Sequence, residues 1–542
     1  MQILSTIGGI AVFFIIIGII IAVHEGGHFY FAKRAGILAR EIAIGIGPIL
    51  WKKKKGETLY TIRAIPLGGF CAIAGEEYED DPFKKNPQVK LDVRDGVIHN
   101  FYLNVNDESI PYPVYDVMEY DLFDEQNTSN LYMDVIKDGN RYHFKVKEDA
   151  LIHYGQVEYQ IAPYNRTLNS KSKRQRAMVM FGGPLMNFLL AILVFFLVGL
   201  IQGFSVRESS QVVIEENTAA YNAGLRTNDV ITKLEAKDGK IKVEVTKWDD
   251  ISKFMSEYKQ TGNPSAIIVT YLRDNKTNTL EVQPTITINS LAIEAVYTQN
   301  GLKIINYIEA KDDMIDNSAI SKFYSTNSNV VITKVEYEGK IVNATNLKEV
   351  YNIFELYNGK KKEKIKLYLS TASGEEFVFV KPYSQSIMKY QYKQNGIETV
   401  KVAMHVSPTT KFNFLKSLAY SVTESLNSAE SVLLTLGMLI KGDISIRALS
   451  GFVGIASATV KVTKAGLVNV LYWMGLLSVN IGFLNLLPIP ALDGGRLAFL
   501  AYEAITKKKP NQKVETWLIT ATMLLLFALM IFVTINDILR VF

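Results

Sequence analysis

Residues 24–28 read His24-Glu25-Gly26-Gly27-His28. On a helix, side chains four apart share a face, so two imidazoles at this spacing can grip one metal ion. Glu25 lies beside them, positioned to take a proton from a water held by that metal. The HExxH pattern is the zinc-hydrolase signature. The plainer alternative is a pair of satisfied helix histidines. Ionisable groups at membrane depth are costly and usually functional, which favours the metal. The motif closes an uncharged apolar run from Ile3 to Val23, long enough to cross a bilayer.

A second constellation lies far away, in Ser478 to Arg496. It holds Asn480, Asn485, Pro488, Pro490 and Asp493-Gly494-Gly495. The prolines end or open a helix, freeing backbone groups that need partners away from lipid. A carboxylate at membrane depth wants a cation or a metal, and Arg496 is one candidate partner for Asp493. Catalytic zinc takes three protein ligands and keeps a fourth position open, a count that His24, His28 and Asp493 complete. Cys71 is the only cysteine, so a thiolate cluster is excluded.

The elements that carry these residues follow from the hydropathy pattern. Four runs predict membrane helices: 1–33 with HEGGH, 177–204, 465–498 with Leu492-Asp493-Gly494, and 516–536. The first lacks the basic start of a signal peptide and is too long for its apolar region, so it reads as an uncleaved span. Lys33, Arg34, Arg40, Lys52–Lys55, Lys171, Lys173, Arg174, Arg176, Lys507–Lys509 and Lys513 flank the spans on one side. The positive-inside bias therefore puts 30–176 and 500–513 in the cytoplasm and 205–464 outside. A net charge of +5 over 542 residues, with no basic block interleaved with aromatics, excludes nucleic acid as a partner.

Between the spans, 34–81 carries alternating residues from Leu59 to Ile65 and then Pro66-Leu67-Gly68-Gly69-Phe70. This segment reads as a β-hairpin, either dipping beside the metal to offer a sheet edge or lying on the membrane surface. Residues 82–165 suggest a small cytoplasmic β-rich insertion without an assignable role. His99, His143 and His153 fall in it without ligand spacing. Two α/β modules follow at 211–300 and 301–390, both PDZ-like. The run Val230-Ile-Thr-Lys-Leu234 recurs as Val331-Ile-Thr-Lys-Val335, and Asp238-Gly-Lys240 as Glu338-Gly-Lys340. A single repetition near 100 residues indicates tandem domains and no solenoid. The second copy lacks a clear Ala-Gly-Leu element. Residues 408–441 read as an interfacial amphipathic helix.

HEGGH, Pro66-Leu-Gly-Gly69, Gly183-Pro184-Leu-Met-Asn187, the paired PDZ-like modules and Asn485-x-x-Pro488-x-Pro490-x-Leu492-Asp493-Gly494 together resemble the site-2 protease family of intramembrane zinc metalloproteases, in its regulator of sigma-E protease type. That resemblance implies a multi-pass α-helical protein of the bacterial cytoplasmic membrane, with four transmembrane helices and extracytoplasmic tandem PDZ-like domains. It implies zinc on His24, His28 and Asp493, with Glu25 as catalytic base. It implies substrate contacts from Asn480, Asn485, Pro488, Pro490, Gly68, Gly69 and Phe70. The expected substrates are transmembrane segments of single-span proteins, such as anti-sigma factors after a first cut or remnant signal peptides, and the PDZ-like domains are expected to take peptide ligands. Phe452 departs from the family's usual proline, and 82–165 has no counterpart in the usual member. Two rival classes are a catalytically idle PDZ scaffold and a metal transporter. The first predicts that Glu25→Gln leaves function intact. The second would string its ligands along a path, whereas here they cluster at one depth.

Overall fold

Apolar side chains without a charge leave a chain in lipid one way to satisfy its backbone, which is to hydrogen-bond it internally as a helix. In the computed structural model, which describes residues 2–76, 82–84, 86–125, 130–155, 157–260, 262, 265–310, 314–324, 329–357, 363–371, 374–395, 397–442 and 444–541, four helices are long and apolar enough to cross a membrane. The end of the 34–81 segment (77–81) and Asp443, which follows the interfacial stretch, lie outside the described residues. The chain divides into two units, residues 1–195 with 451–542, and residues 196–450.

In the first unit, helix α1 runs Gln2–Arg34 and α2 runs Lys173–Gln202. After the second unit come α3 (Phe452–Lys464), α4 (Leu467–Asn485), α5 (Asp493–Thr506) and α6 (Gln512–Val541). Phe13, Ile16, Ile17 and Ile20 of α1 bury against Val194 of α2 and Met474 and Leu477 of α4. The two long helices touch through glycine. A Cβ on Gly27 would lie 2.2 Å from the Gly182 carbonyl oxygen, so only backbone fits there.

The sequence reading carried the third span through 498, and here the structure differs. Helix α4 stops at Asn485 and the chain turns through 486–492 before α5 begins. Pro488 and Pro490 supply no N–H and cannot continue the ladder. Helix α3, which the sequence reading did not separate, packs on α1, and a Cβ on Gly9 would lie 2.8 Å from the Val460 Cα. Its first turn is held by Asp537 of α6, whose carboxylate accepts from the N–H groups of Gly451 and Gly454, each at 2.8 Å.

Strands β1 (Ala39–Lys55) and β2 (Thr58–Ile73) form an antiparallel hairpin. Residues Glu41 to Ile44 pair twice, with Leu59 to Ile62 on one side and with Gly69 to Ala72 on the other. That fold-back needs Gly45, at φ 91°, whose absent Cβ would meet the Arg63 carbonyl oxygen at 2.8 Å. Among the described residues the insertion holds six strands. Five (Gln88–Arg94, Val97–Tyr102, Val114–Asp121, Tyr132–Lys137 and Asn140–Tyr154) close into a ring, because Val97–Tyr102 pairs with both its hairpin partner and Asn140–Tyr154. Val157–Gln160 adds an edge, and Leu91, Phe101, Met133 and Val135 fill the ring.

The second unit repeats itself. Strands Val230–Ala236, Lys242–Glu244, Ile267–Arg273 and Lys276–Val282 with helix Trp248–Gln260 match Val331–Tyr337, Lys340–Asn343, Ile365–Thr371 and Gly374–Val380 with helix Leu347–Leu356, in the same sheet order. Even the irregularity recurs. Each leading strand bulges at its threonine, and Thr232 and Thr333 donate to the carbonyls of Thr270 and Tyr368 at 3.2 and 3.3 Å. The join between the sheets lies near residue 284, where the sequence reading drew it at 300. Strands Thr285–Ile288, Ile293–Thr298 and Gly301–Tyr307 belong to the second sheet, and residue 300 is a hairpin tip. The returning chain pairs Val400–Ala403 with Thr285–Ile288, then Val406–Pro408 with Val212–Ile214. A neck of Phe204–Ser205 paired with Thr410–Lys411 closes the unit, followed by helix Phe414–Lys441.

Candidate metal centre

Helix α1 presents His24 and His28 on one face, and the first residue of α5 brings Asp493 against them. The Nε2 atoms of the histidines stand 3.3 Å apart, and Oδ2 of Asp493 lies 3.3 Å from one and 3.4 Å from the other. Three donors at the bond lengths of tetrahedral zinc, ~2.0–2.1 Å, stand about 3.3–3.4 Å from one another. The observed triangle has that edge. Oδ2 of Asp493 is buried and has no hydrogen-bond partner, so a buried carboxylate oxygen is left pointing between two imidazoles. Two nitrogens and one oxygen suit a borderline ion such as zinc.

Arg496 does not neutralise Asp493. It forms an ion pair with Glu76 at the mouth of the site.

The remaining imidazole nitrogens are held from behind. Nδ1 of His28 lies 2.8 Å from the Val179 carbonyl oxygen, which fixes that nitrogen as the donor and leaves Nε2 a lone pair. Nδ1 of His24 lies 3.2 Å from the Asn187 carboxamide, whose Oδ1 is otherwise buried without a partner. Turning that amide over lets Oδ1 accept from Nδ1–H, which satisfies the orphan and frees Nε2 of His24 as well. Ser478 of α4 donates to the Asn187 carbonyl at 2.7 Å and so ties the support to a third helix. Gly183 completes the surround, since a Cβ there would lie 2.3 Å from Nε2 of His28 and 2.8 Å from Nε2 of His24. The space in front of the imidazoles exists because residue 183 has no side chain.

Glu25 faces a cavity of about 480 Å³ whose wall includes Gly69, Phe70, Asn485 and Asp493. Strand β2 lies directly on the motif, with Phe70 and Cys71 on the wall of the same cavity as Glu25. A Cβ on Gly69 would meet the Ile21 side chain at 2.6 Å and the Glu25 side chain at 3.1 Å. Of the sequence-derived substrate residues, Gly69, Phe70 and Asn485 line this cavity, and Asn480, Gly68, Pro488 and Pro490 do not. Asn187, Arg40 and Glu76 were given no part in the site from the sequence, and Arg496 entered only as a candidate partner for Asp493. Asn187 carried a readable signal, an amide inside an uncharged apolar span. Arg40 sits on the cavity wall, but its charge read only as an orientation signal.

The profile of peptidase family M50 matches residues 12–529. Across 98 % of this chain and 99 % of the relative, it is 31 % identical to the zinc metalloprotease RasP of Oceanobacillus iheyensis. It is 30 % identical to the zinc metalloprotease RasP of Geobacillus kaustophilus over 99 % of both chains. The regulator of sigma-W protease RasP of Bacillus subtilis is 30 % identical over 98 % of both. The fold and site thus define a membrane metalloprotease that uses zinc. The chain belongs to peptidase family M50, the site-2 protease family.

Proposed function

We propose that this zinc metalloprotease hydrolyses peptide bonds within transmembrane segments of single-span proteins, with His24, His28 and Asp493 as metal ligands and Glu25 as general base. The observation that carries the reading is the triangle of three donor atoms with 3.3–3.4 Å edges around one point. The bound ion would polarise the scissile carbonyl and acidify the attacking water. Glu25, on the wall of the same cavity, would take the proton from that water and hand it on to the leaving nitrogen. A transmembrane helix shields its own peptide bonds, so the substrate must locally unwind. The Gly69–Phe70 edge and Asn485 offer the freed backbone groups new partners, which in lipid would otherwise cost several kcal/mol each.

The repeated modules of the second unit are read as extracytoplasmic PDZ-like domains that restrict bulky substrates. The B. subtilis relative is named for sigma-W regulation. A membrane-anchored anti-sigma factor already shortened outside is therefore the substrate class we favour. The test is incubation of the purified protein with a single-span test substrate, with and without a zinc chelator and beside Glu25→Gln. Cleavage that stops in both the chelated and the substituted samples supports the reading. Cleavage that persists in Glu25→Gln removes it.

A further inference from the structure

Two charged residues on the wall of the catalytic cavity take no part in the chemistry derived above. Glu76 stands three residues beyond the end of β2. Arg496 stands three residues after Asp493, which on a helix sets both on one side of α5. The two side chains form an ion pair, with exposures of 21 % for Glu76 and 28 % for Arg496. The pair therefore joins two parts of the cavity wall, residues 69–73 of β2 and the turn into α5 with Leu492 and Asp493.

Each end of this link is anchored independently. The Ala74 N–H donates to the Leu38 carbonyl at 2.9 Å, and the Leu168 N–H donates to the Ala74 carbonyl at 2.8 Å. The Asn169 carboxamide donates to the Gly75 carbonyl at 2.9 Å. Gly75 turns the chain at φ 75°, where a Cβ would meet the Thr167 side chain at 2.7 Å. Glu76 is thus presented from a base tied to the segment that leads into α2. On the other side, a Cβ on Gly494 would lie 2.3 Å from the carbonyl oxygens of Leu486 and Leu487, so the start of α5 is pressed backbone to backbone on its turn. Behind the pair lies a cavity of about 100 Å³ that Glu503 also lines. Glu503 is taken by Arg176 at 2.8 Å and does not draw Arg496 away from Glu76.

We propose that the Glu76–Arg496 pair is a strap that holds the β2 edge at a set distance from Asp493, so that an unwound substrate enters a slot of preformed width. Both are positioning residues, acting through the walls they join. The proposal rests on the intramembrane protease reading. A preformed slot leaves less of the substrate's binding energy to be spent on bringing the walls together. That saving is the same for the bound substrate and the transition state, so losing the strap raises KM and leaves kcat nearly unchanged.

The test uses the full-length zinc-loaded protein in phosphatidylcholine nanodiscs with the single-span test substrate. The double variant Glu76→Gln, Arg496→Gln removes both charges at once, so no lone charge is left in the wall. The expected result is a KM at least tenfold higher, with kcat within about threefold of wild type and zinc content unchanged. Arg496→Lys keeps the cation and is expected to stay within about threefold of the wild-type KM. An unchanged KM in the double variant, loss of its zinc, or an Arg496→Lys KM as high as the double variant's overturns the strap. A raised kcat marks a gate that must open and overturns it as well. The second arm needs no cleavage. Protection factors for amide exchange in residues 69–73, taken relative to the intrinsic rates, are expected to fall at least tenfold in the double variant while those of residues 58–62 hold. Equal protection of 69–73 in the two proteins overturns the proposal. If the wild-type protein cleaves nothing, the protease reading falls, and the exchange arm still decides the strap.

Discussion

A methyl group is enough to close the space in front of the imidazoles. In Gly183→Ala the new Cβ would lie 2.3 Å from Nε2 of His28, inside the volume the metal needs. That substitution is expected to lower zinc affinity roughly 100-fold or more, measured as zinc content after dialysis against graded chelator, while the helices persist by circular dichroism. Asn187→Ala removes the group behind Nδ1 of His24 and is expected to cost roughly 10–100-fold in zinc affinity or activity. The proposed ligands were legible as candidates in the sequence, since the i, i+4 histidines and the Leu-Asp-Gly at matching depth have few other uses, and the structure brings them together. Gly183 was not given a role, because its importance is a distance to His28 across 155 residues that no local pattern encodes, and Asn187 was passed over although its amide stands in an uncharged span.

At the scale of elements, the site depends on strand β2 lying against α1 without side chains between them. Gly69→Val would press on Ile21 and Glu25 and push the strand off the motif. The expected result is unchanged zinc content with kcat lowered about 10²-fold, read in the same substrate assay. The insertion has its own signature in pH. Hydrogen bonds from Arg141 and then His143 hold the Asp134 carboxyl below the ordinary aspartate range. A depressed carboxyl stabilises the fold above its unfolded value, near 3.8, and that stabilisation is lost as pH falls through the folded value. Protection factors for amide exchange in Tyr132–Lys137, taken relative to the intrinsic rate at each pH, should therefore fall between pH 5 and about pH 3 in the wild type, and less steeply in Asp134→Asn. The membrane helices were readable from composition alone. The break after Asn485 was signalled by Pro488 and Pro490, but an uncharged run on either side of it concealed how early the helix ends. Helix α3 escaped notice because thirteen residues carrying two lysines fit neither a span nor a clear amphipathic pattern.

Across the whole molecule, the repeat of Val-Ile-Thr-Lys announced two like modules, and the structure extends the likeness to a shared bulge and a shared threonine hydrogen bond. Their division was not legible, because it is set by pairing between Thr285–Ile288 and Val400–Ala403, more than a hundred residues apart. The same long return makes a clean excision possible. Ser205 and Thr410 are paired neighbours in the neck, so residues 206–409 can be replaced by a short Gly/Ser linker without stretching the chain. The excised protein is expected to keep cleaving a shortened single-span substrate and to gain cleavage of one that still carries a folded external domain. Loss of all cleavage in an excised protein that binds zinc normally would argue against the restricting role.

Two imidazoles of α1 and the carboxylate of Asp493 are proposed to surround one ion. Zinc X-ray absorption on the purified protein tests it most directly. The expected result is one zinc per chain bound by two imidazole nitrogens and light oxygen donors, with the carboxylate contribution lost in Asp493→Ala. A spectrum that Asp493→Ala leaves unchanged, or one that fits a single imidazole, would contradict it.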